Sequence, residues 1–335
     1  MSSFLKSLGL TAASVLVYLV LLEIAVRSVI DDGMQYDLEM WKYAKQMKRV
    51  STDPGIGHEH RPNTDAHLMG VDVSINATGQ RDRDFARPKP DGTVRIMMLG
   101  DSLTFGWGVA IEHTVAKRLE SLLNGGNADV RYEVVNAGVG NYNAAMSSTW
   151  MRTRGMEFEP DFVIFNYSFN DAEITPRREG GGLAEWSHAY VYFSGRFGEV
   201  ARRTFWGHDW HTYYTELYGD DAVGWRGAQD QLQLLARFCK QRNIPLVLVN
   251  YPELHRLDPY PLVEVSNEIA TLSRALDLPY LDLIDSLRTE DSEALWITPG
   301  DPHPNAHADE LIANAIFAFL RDGERLVALA PTAPR

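Results

Sequence analysis

The chain has 335 residues, 45% of them apolar and 23% charged, a globular make-up that excludes a disordered, collagenous or coiled-coil protein. Lys and Arg number 32 against 45 Asp and Glu, and the resulting net charge of -13 excludes a broad basic surface for nucleic acid. A lone cysteine, Cys239, excludes an intramolecular disulfide, a Cys-rich zinc site and an iron–sulfur cluster, and it is expected to pack as a small hydrophobe.

The first charged side chain is Lys6, and no other follows until Glu23 and Arg27. The uncharged run Ser7–Leu22 covers about 24 Å as a helix, and snorkelling of the two charges extends it to about Val26, enough to approach the hydrocarbon core. Residues 1–32 are therefore expected to be an uncleaved membrane anchor. A signal peptide is the alternative, but no small-x-small cleavage pattern follows Leu22. A helix docked on its own domain is a further alternative, although apolar residues occur all round this one. Lys6 before the run and Asp31 and Asp32 beyond it favour an inside N-terminus, with the rest of the chain across the membrane.

Residues 33–92 read as a turn-rich appendage with one short strand, where Val71, Val73 and Ile75 alternate, followed by the linker ARPKPDG. From 93 to about 325, apolar runs of strand length alternate with helical stretches, the pattern of a parallel sheet covered on both faces. The predicted strands are Val94–Leu99, Tyr132–Asn136, Phe162–Tyr167, Pro245–Asn250 and Tyr280–Leu283. The predicted helices are Val115–Leu123, Ala144–Arg154, Ala228–Arg242, Leu262–Leu276 and Ala306–Leu320. Five strands and their crossovers make one doubly wound α/β domain. Its rhythm breaks over about 172–224, where Trp186, Tyr190, Tyr192, Phe193, Phe197, Phe205, Trp206, Trp210, Tyr213, Tyr214 and Tyr218 crowd together. This insertion is either a small helical core or a lid over the ligand crevice, and one segment can be both.

Four loops carry the chemistry. The strand VRIMML runs into Gly100-Asp101-Ser102-Leu103-Thr104, placing Ser102 where such sheets bind ligands, as a nucleophile or as a helix cap. After the second strand, Asn136-Ala137-Gly138-Val139-Gly140-Asn141 is a small-residue loop that lets backbone N–H groups approach a substrate. After the third, Ser168-Phe169-Asn170-Asp171 offers the Asn170 amide as a donor. Before the last helix, Asp301-Pro302-His303 supplies an acid and an imidazole.

These four blocks, in this order over about Arg95–Leu320, resemble the SGNH (GDSL-type) hydrolases, and GDSLTFGWG is close to that family's first block. Asn76-Ala77-Thr78-Gly79-Gln80-Arg81-Asp82 also resembles a segment found in its membrane-anchored bacterial members. The resemblance implies a flavodoxin-like three-layer αβα sandwich with a five-stranded parallel sheet. It implies Ser102 as nucleophile, His303 as general base and Asp301 as its partner. The oxyanion would be held by the Ser102 N–H, a second-block N–H and the Asn170 side chain. Two departures stand out. The family's oxyanion glycine falls five residues after the block's asparagine, which here is Asn141, with Gly140 just before it. The family's acid lies three residues before the histidine, whereas Asp301 lies two before.

The function expected is hydrolysis of O-acyl esters, most simply O-acetyl, on an envelope or exported glycan, from a bacterial inner-membrane anchor facing the periplasm or exterior. Alternatives are an O-acetyltransferase using the same serine, a lipase-type esterase and a non-catalytic glycan-binding protein. No cofactor is expected. His58-Glu59-His60 and the pair His303 and His307 lack a third metal ligand, and neither a Walker loop nor a Gly-x-Gly-x-x-Gly is present.

Overall fold

The computed structural model describes residues 2–126, 130–175, 181–201, 210–219, 221–323 and 325. Phe205 and Trp206 of the aromatic insertion lie outside them. The elements run in chain order as α1 (Ser2–Ala25), α2 (Tyr36–Met47), β1 (Lys48–Val50), β2 (His58–His60), β3 (Thr64–Leu68), β4 (Val71–Ile75), β5 (Thr93–Leu99), α3 (Ser102–Phe105) and α4 (Val115–Asn124). They continue as β6 (Arg131–Asn136), α5 (Ala144–Thr153), β7 (Phe162–Tyr167), α6 (His188–Ala201), α7 (Trp210–Leu217), α8 (Val223–Gln241) and β8 (Leu246–Asn250). The last are α9 (Val263–Ala275), β9 (Tyr280–Asp282), α10 (Ile284–Leu287), β10 (Trp296–Thr298), β11 (Asp301–Pro304) and α11 (Ala306–Asp322).

The predicted five strands form one sheet in the order β6-β5-β7-β8-β9, every neighbouring pair parallel. Because strand side chains alternate faces, each strand feeds two cores. Met97, Leu99, Val135, Val163, Phe165 and Leu248 meet Trp150 of α5, Leu235 of α8 and Ile269 of α9 on one side. Val94, Ile96, Met98, Val134, Ile164 and Val249 meet Leu119 of α4 and Ile316 of α11 on the other. Each fully buried Val, Leu or Ile contributes about 1.5–3 kcal/mol, so the two apolar layers carry the fold. The arrangement is the expected three-layer αβα sandwich. Cys239 is buried in the first of these cores.

Ends of elements differ from expectation. Helix α8 starts at Val223, five residues early, and β9 stops at Asp282 rather than Leu283. The larger difference lies in 33–92, which holds α2, the β1–β2 pair and the β3–β4 hairpin where one strand was expected. These elements do not stand apart. Tyr43, Met47, Leu68, Val73 and Ile75 share one core with Phe105 and Trp107 of the loop after β5. Arg81, wholly buried, donates to the carbonyls of Phe105 at 3.2 Å, Gly106 at 2.5 Å and Val109 at 2.6 Å.

In the insertion, Tyr218 joins the first core beside Trp225 of α8, with Trp210 and Tyr214 packed against it. Trp186, Tyr190 and Phe197 remain exposed. The insertion therefore packs onto the core of the domain rather than forming one of its own, and it keeps exposed aromatic rings.

Candidate active site

The sheet order places β5 between β6 and β7, so the loops leaving β6 and β7 flank the one leaving β5. Ser102 opens α3, a single turn that Asp101 caps by accepting the Leu103 N–H at 2.9 Å. One turn adds up few peptide dipoles, so any anion at Ser102 would rely on individual N–H groups rather than on a helix field. The Ser102 N–H has no partner among the described residues. The other Asp101 oxygen accepts from the Ser168 hydroxyl at 2.8 Å, tying the Ser102 turn to the loop after β7.

In that loop, Ser168 and Asp171 form a reciprocal cap around a 3₁₀ turn, with the Ser168 N–H reaching Asp171 Oδ2 at 2.7 Å. The turn presents Asn170, half-buried, whose side-chain amide makes no hydrogen bond among the described residues.

In the loop after β6 the two candidate donors have different surroundings. Gly140 packs so closely on Tyr43 that a Cβ there would lie 2.6 Å from the ring. Its N–H donates to the Tyr43 hydroxyl at 3.0 Å and is therefore spent internally. His60 Nδ1 lies 3.0 Å from the Gly79 carbonyl and must donate to it, which leaves Nε2 to accept the Tyr43 O–H at 2.6 Å. The Gly140 carbonyl accepts from Lys48 Nζ at 2.8 Å and from His58 Nε2 at 2.9 Å, and Lys48 also donates to Asn141 Oδ1 at 2.9 Å. Asn141 itself adopts φ +65, which asparagine tolerates better than most residues, and its N–H is unpaired among the described residues.

His303 arrives from the far end of the chain on β11. Its Nε2 lies 2.9 Å from Ser102 Oγ and its Nδ1 lies 2.5 Å from Asp301 Oδ1. The two-residue spacing works because β11 is short and bends: the His303 N–H also turns back to Asp301 Oδ1, at 3.2 Å. Asp301 is wholly buried, and its second oxygen accepts the Trp107 indole N–H at 2.9 Å. Burial alone would lower the His303 pKa, but the charge and hydrogen bond of Asp301 reverse this, and the net direction is upward. For Asp301, burial pushes upward and the His303 charge and hydrogen bonds win, so its pKa falls below the ordinary carboxylate value. The two directions agree on an ion-pair-like contact.

Sequence reasoning missed Tyr36, Tyr43, Lys48 and the role of Trp107. Tyr36, at the start of α2, sets its ring 5.8 Å from the His303 ring, and its hydroxyl has no partner among the described residues. Trp107 lies within the block GDSLTFGWG, so a signal existed; the other three come from a segment with no recognisable spacing. Among the described residues no group of three or more His, Cys, Asp or Glu could hold a metal ion. His58 and His60 serve instead as props of the β6 loop. Burial first, then the nearby Lys48 charge, lowers the His58 pKa to about 4, and burial lowers that of His60 to about 3, so both are neutral.

No curated protein sequence matches the chain. Among solved structures it is similar to a two-domain esterase (CEX) active on acetylated mannans, at 17% identity and TM-score 0.45, covering 72% of this chain and 52% of that one. The chain thus spans about half the length of that protein. It is also similar to the acetyl xylan esterase AlAXEase, at 15% identity and TM-score 0.42, covering 67% of this chain and 98% of that one. The psychrotrophic esterase EstA from Pseudoalteromonas sp. matches at 14% identity and TM-score 0.43, covering 69% of this chain and 98% of that one. The model of the GDSL-like lipase/acylhydrolase family matches residues 98–311, well over half of the chain and all four loops of the site, and the chain belongs to that family as an SGNH-type serine ester hydrolase.

Proposed function

We propose that Ser102 attacks the carbonyl of an O-acyl ester, most simply an O-acetyl ester, carried on an envelope or exported glycan. Neutral His303 takes the Ser102 proton through Nε2 as the Oγ–carbon bond forms, and Asp301 holds the imidazole with Nδ1 protonated. The tetrahedral oxyanion is held by the N–H groups of Ser102 and Asn141 and by the Asn170 amide, three donors left free by their own surroundings. The imidazolium then protonates the departing alcohol, and water, deprotonated by His303, releases the acid from the acyl-serine. The observation that carries this reading is the continuous contact from Ser102 through His303 to Asp301, joining residues 201 positions apart in sequence.

The anchor reading of residues 1–32 also finds support. One helical span, Ser3–Ile30, is long and apolar enough to cross a membrane. Its outer end is built into the domain: Val26 is wholly buried with Leu38 and Ala189. Glu23 accepts from the Ser187 hydroxyl at 2.7 Å and from the N–H groups of His188 and Ala189, each at 3.0 Å. A leader removed on export would leave these groups unpaired.

The test is hydrolysis of p-nitrophenyl esters of rising acyl length by the full chain in detergent, beside Ser102→Ala and His303→Ala. Loss of turnover in both variants, with the parent preferring acetate, supports the reading. Turnover that survives Ser102→Ala removes the nucleophile assignment. Transfer of acetyl to an added sugar would make the enzyme a transferase.

A further inference from the structure

Helix α6 and the turn before it carry aromatic residues at positions 186, 190, 193 and 197, spacings of four, three and four that put them along one stripe. Trp186 is 73% exposed, Tyr190 47% and Phe197 69%, and Leu183 just upstream is 66% exposed. The adjoining side of the same helix is packed: Ala189 is buried with Val26 and Leu38, and Val191, Tyr192 and Phe193 lie against that cluster. Three exposed aromatic rings, Trp186, Tyr190 and Phe197, along one edge of a helix that is otherwise packed are unusual for a surface in water.

Where the stripe lies is decided by what holds α6. Its first N–H groups end on Glu23, the first charged residue after the apolar run of α1, and the Trp186 carbonyl accepts from Arg27 at 2.7 Å. Helix α6 therefore begins beside the first charged turn of α1, seven residues before the apolar span ends at Ile30. Helix α2 ties in from the other side, through the Trp41 indole to the Ala184 carbonyl at 2.6 Å and Lys45 to the Glu185 carbonyl at 2.7 Å. Amphipathic tryptophan and tyrosine are enriched at this level of a bilayer, and helices with one aromatic face lie in its plane.

We infer that the aromatic face of α6 rests in the lipid interface beside α1 and holds the Ser102 site at the membrane surface. This rests on the reading of α1 as a retained anchor. The site is close by: Tyr36, beside His303, follows Ile30 by six residues, which span at most about 20 Å. The occupant of this face is a bilayer, and the ester hydrolysed is one presented there.

The experiment uses the full chain in phosphatidylcholine nanodiscs, with an environment-sensitive fluorophore on Tyr190→Cys, Phe197→Cys or, as a control on α9, the half-exposed Val263→Cys. Cys239 is buried, which pushes its thiol up to about 12 and leaves it unlabelled. Blue-shifted emission at 190 and 197, quenched by spin-labelled lipid, with neither effect at 263, is the expected result. In the unlabelled chain, brominated lipid should quench a part of the tryptophan emission that Trp186→Phe abolishes. A chain that stays on the disc with 190 and 197 behaving like 263 overturns the inference and leaves the anchor intact. A chain that leaves the disc, or whose mass shows the first segment removed in cells, overturns the anchor and the inference together.

Discussion

His303 sits between burial, which disfavours its charged form, and the Asp301 carboxylate, which favours it and prevails. Acylation needs the neutral imidazole, so raising its pKa moves the acid limb of kcat/KM to higher pH. Replacing Asp301 with Asn removes the largest upward influence, leaving burial opposed only by the weaker Asp101 and Glu253 charges, and the pKa falls. The expected outcome is an acid limb displaced to lower pH together with a loss of about 10⁴ in kcat, because the amide no longer fixes the productive tautomer. A pH profile of Asp301→Asn that matches the parent would reject Asp301 as the orienting acid. Asn170→Ala should lower kcat by about 10² to 10³ with little change in KM, the usual effect of removing one oxyanion donor. Full turnover in that variant would remove Asn170 from the oxyanion assignment. Ser102, Asn170 and His303 were legible because each lies in a short block just past a strand or before a helix. Gly140 and Asn141 could not be separated that way, since the choice depends on a tyrosine 97 residues upstream.

Among the elements, α2 and the β1–β2 pair act on the β6 loop through Tyr43, Lys48 and His58. Burial pulls the Lys48 pKa down to about 7, so a charged amine there is held against its solvation and stabilises the fold little. Its use is to grip Gly140 and Asn141 together. Lys48→Met fills similar volume without the charge. The expected outcome is unchanged thermal stability with a fall of about tenfold in kcat, or roughly 1.4 kcal/mol, and an unaltered KM, because only the Asn141 N–H is misplaced. A fall in melting temperature with kcat per folded molecule preserved would make Lys48 merely structural. This device left no trace in the sequence. Strands of three residues such as His58–His60 are too short to show alternation, and α2 mixes Lys42 and Lys45 among its buried positions. The sheet strands β5, β7 and β8, buried on both faces, appear instead as dense apolar runs, interrupted in the middle only by Arg95 and Asn166, and were readable to within a residue or two.

At the scale of the molecule, the boundary read near residue 92 cuts through a core. Tyr43, Met47, Leu68, Val73 and Ile75 cover Phe105 and Trp107, and Trp107 in turn donates to Asp301. Arg81 donates to three carbonyls of the loop that follows Ser102; that of Gly106 also accepts the Val109 N–H at 3.1 Å and that of Phe105 the Asn136 amide at 3.5 Å, which leaves the Val109 carbonyl dependent on Arg81 among the described residues. Leaving a buried carbonyl unpaired costs about 1–3 kcal/mol, so losing Arg81 takes a sizeable part of the roughly 5–15 kcal/mol of a typical domain, before any apolar loss. Removing residues 1–32 takes away much less of the fold: Val26 leaves Leu38 and Ala189, and Glu23 leaves the start of α6. A chain starting at residue 33 is therefore expected to unfold in one cooperative transition and to hydrolyse a soluble acetyl ester at near the parental rate. A chain starting at 93 is expected to show neither. Cooperative unfolding and esterase turnover from the 93 start would mean that the appendage only decorates a self-sufficient hydrolase domain. Their loss would mean that the catalytic domain begins in α2, 66 residues before the nucleophile.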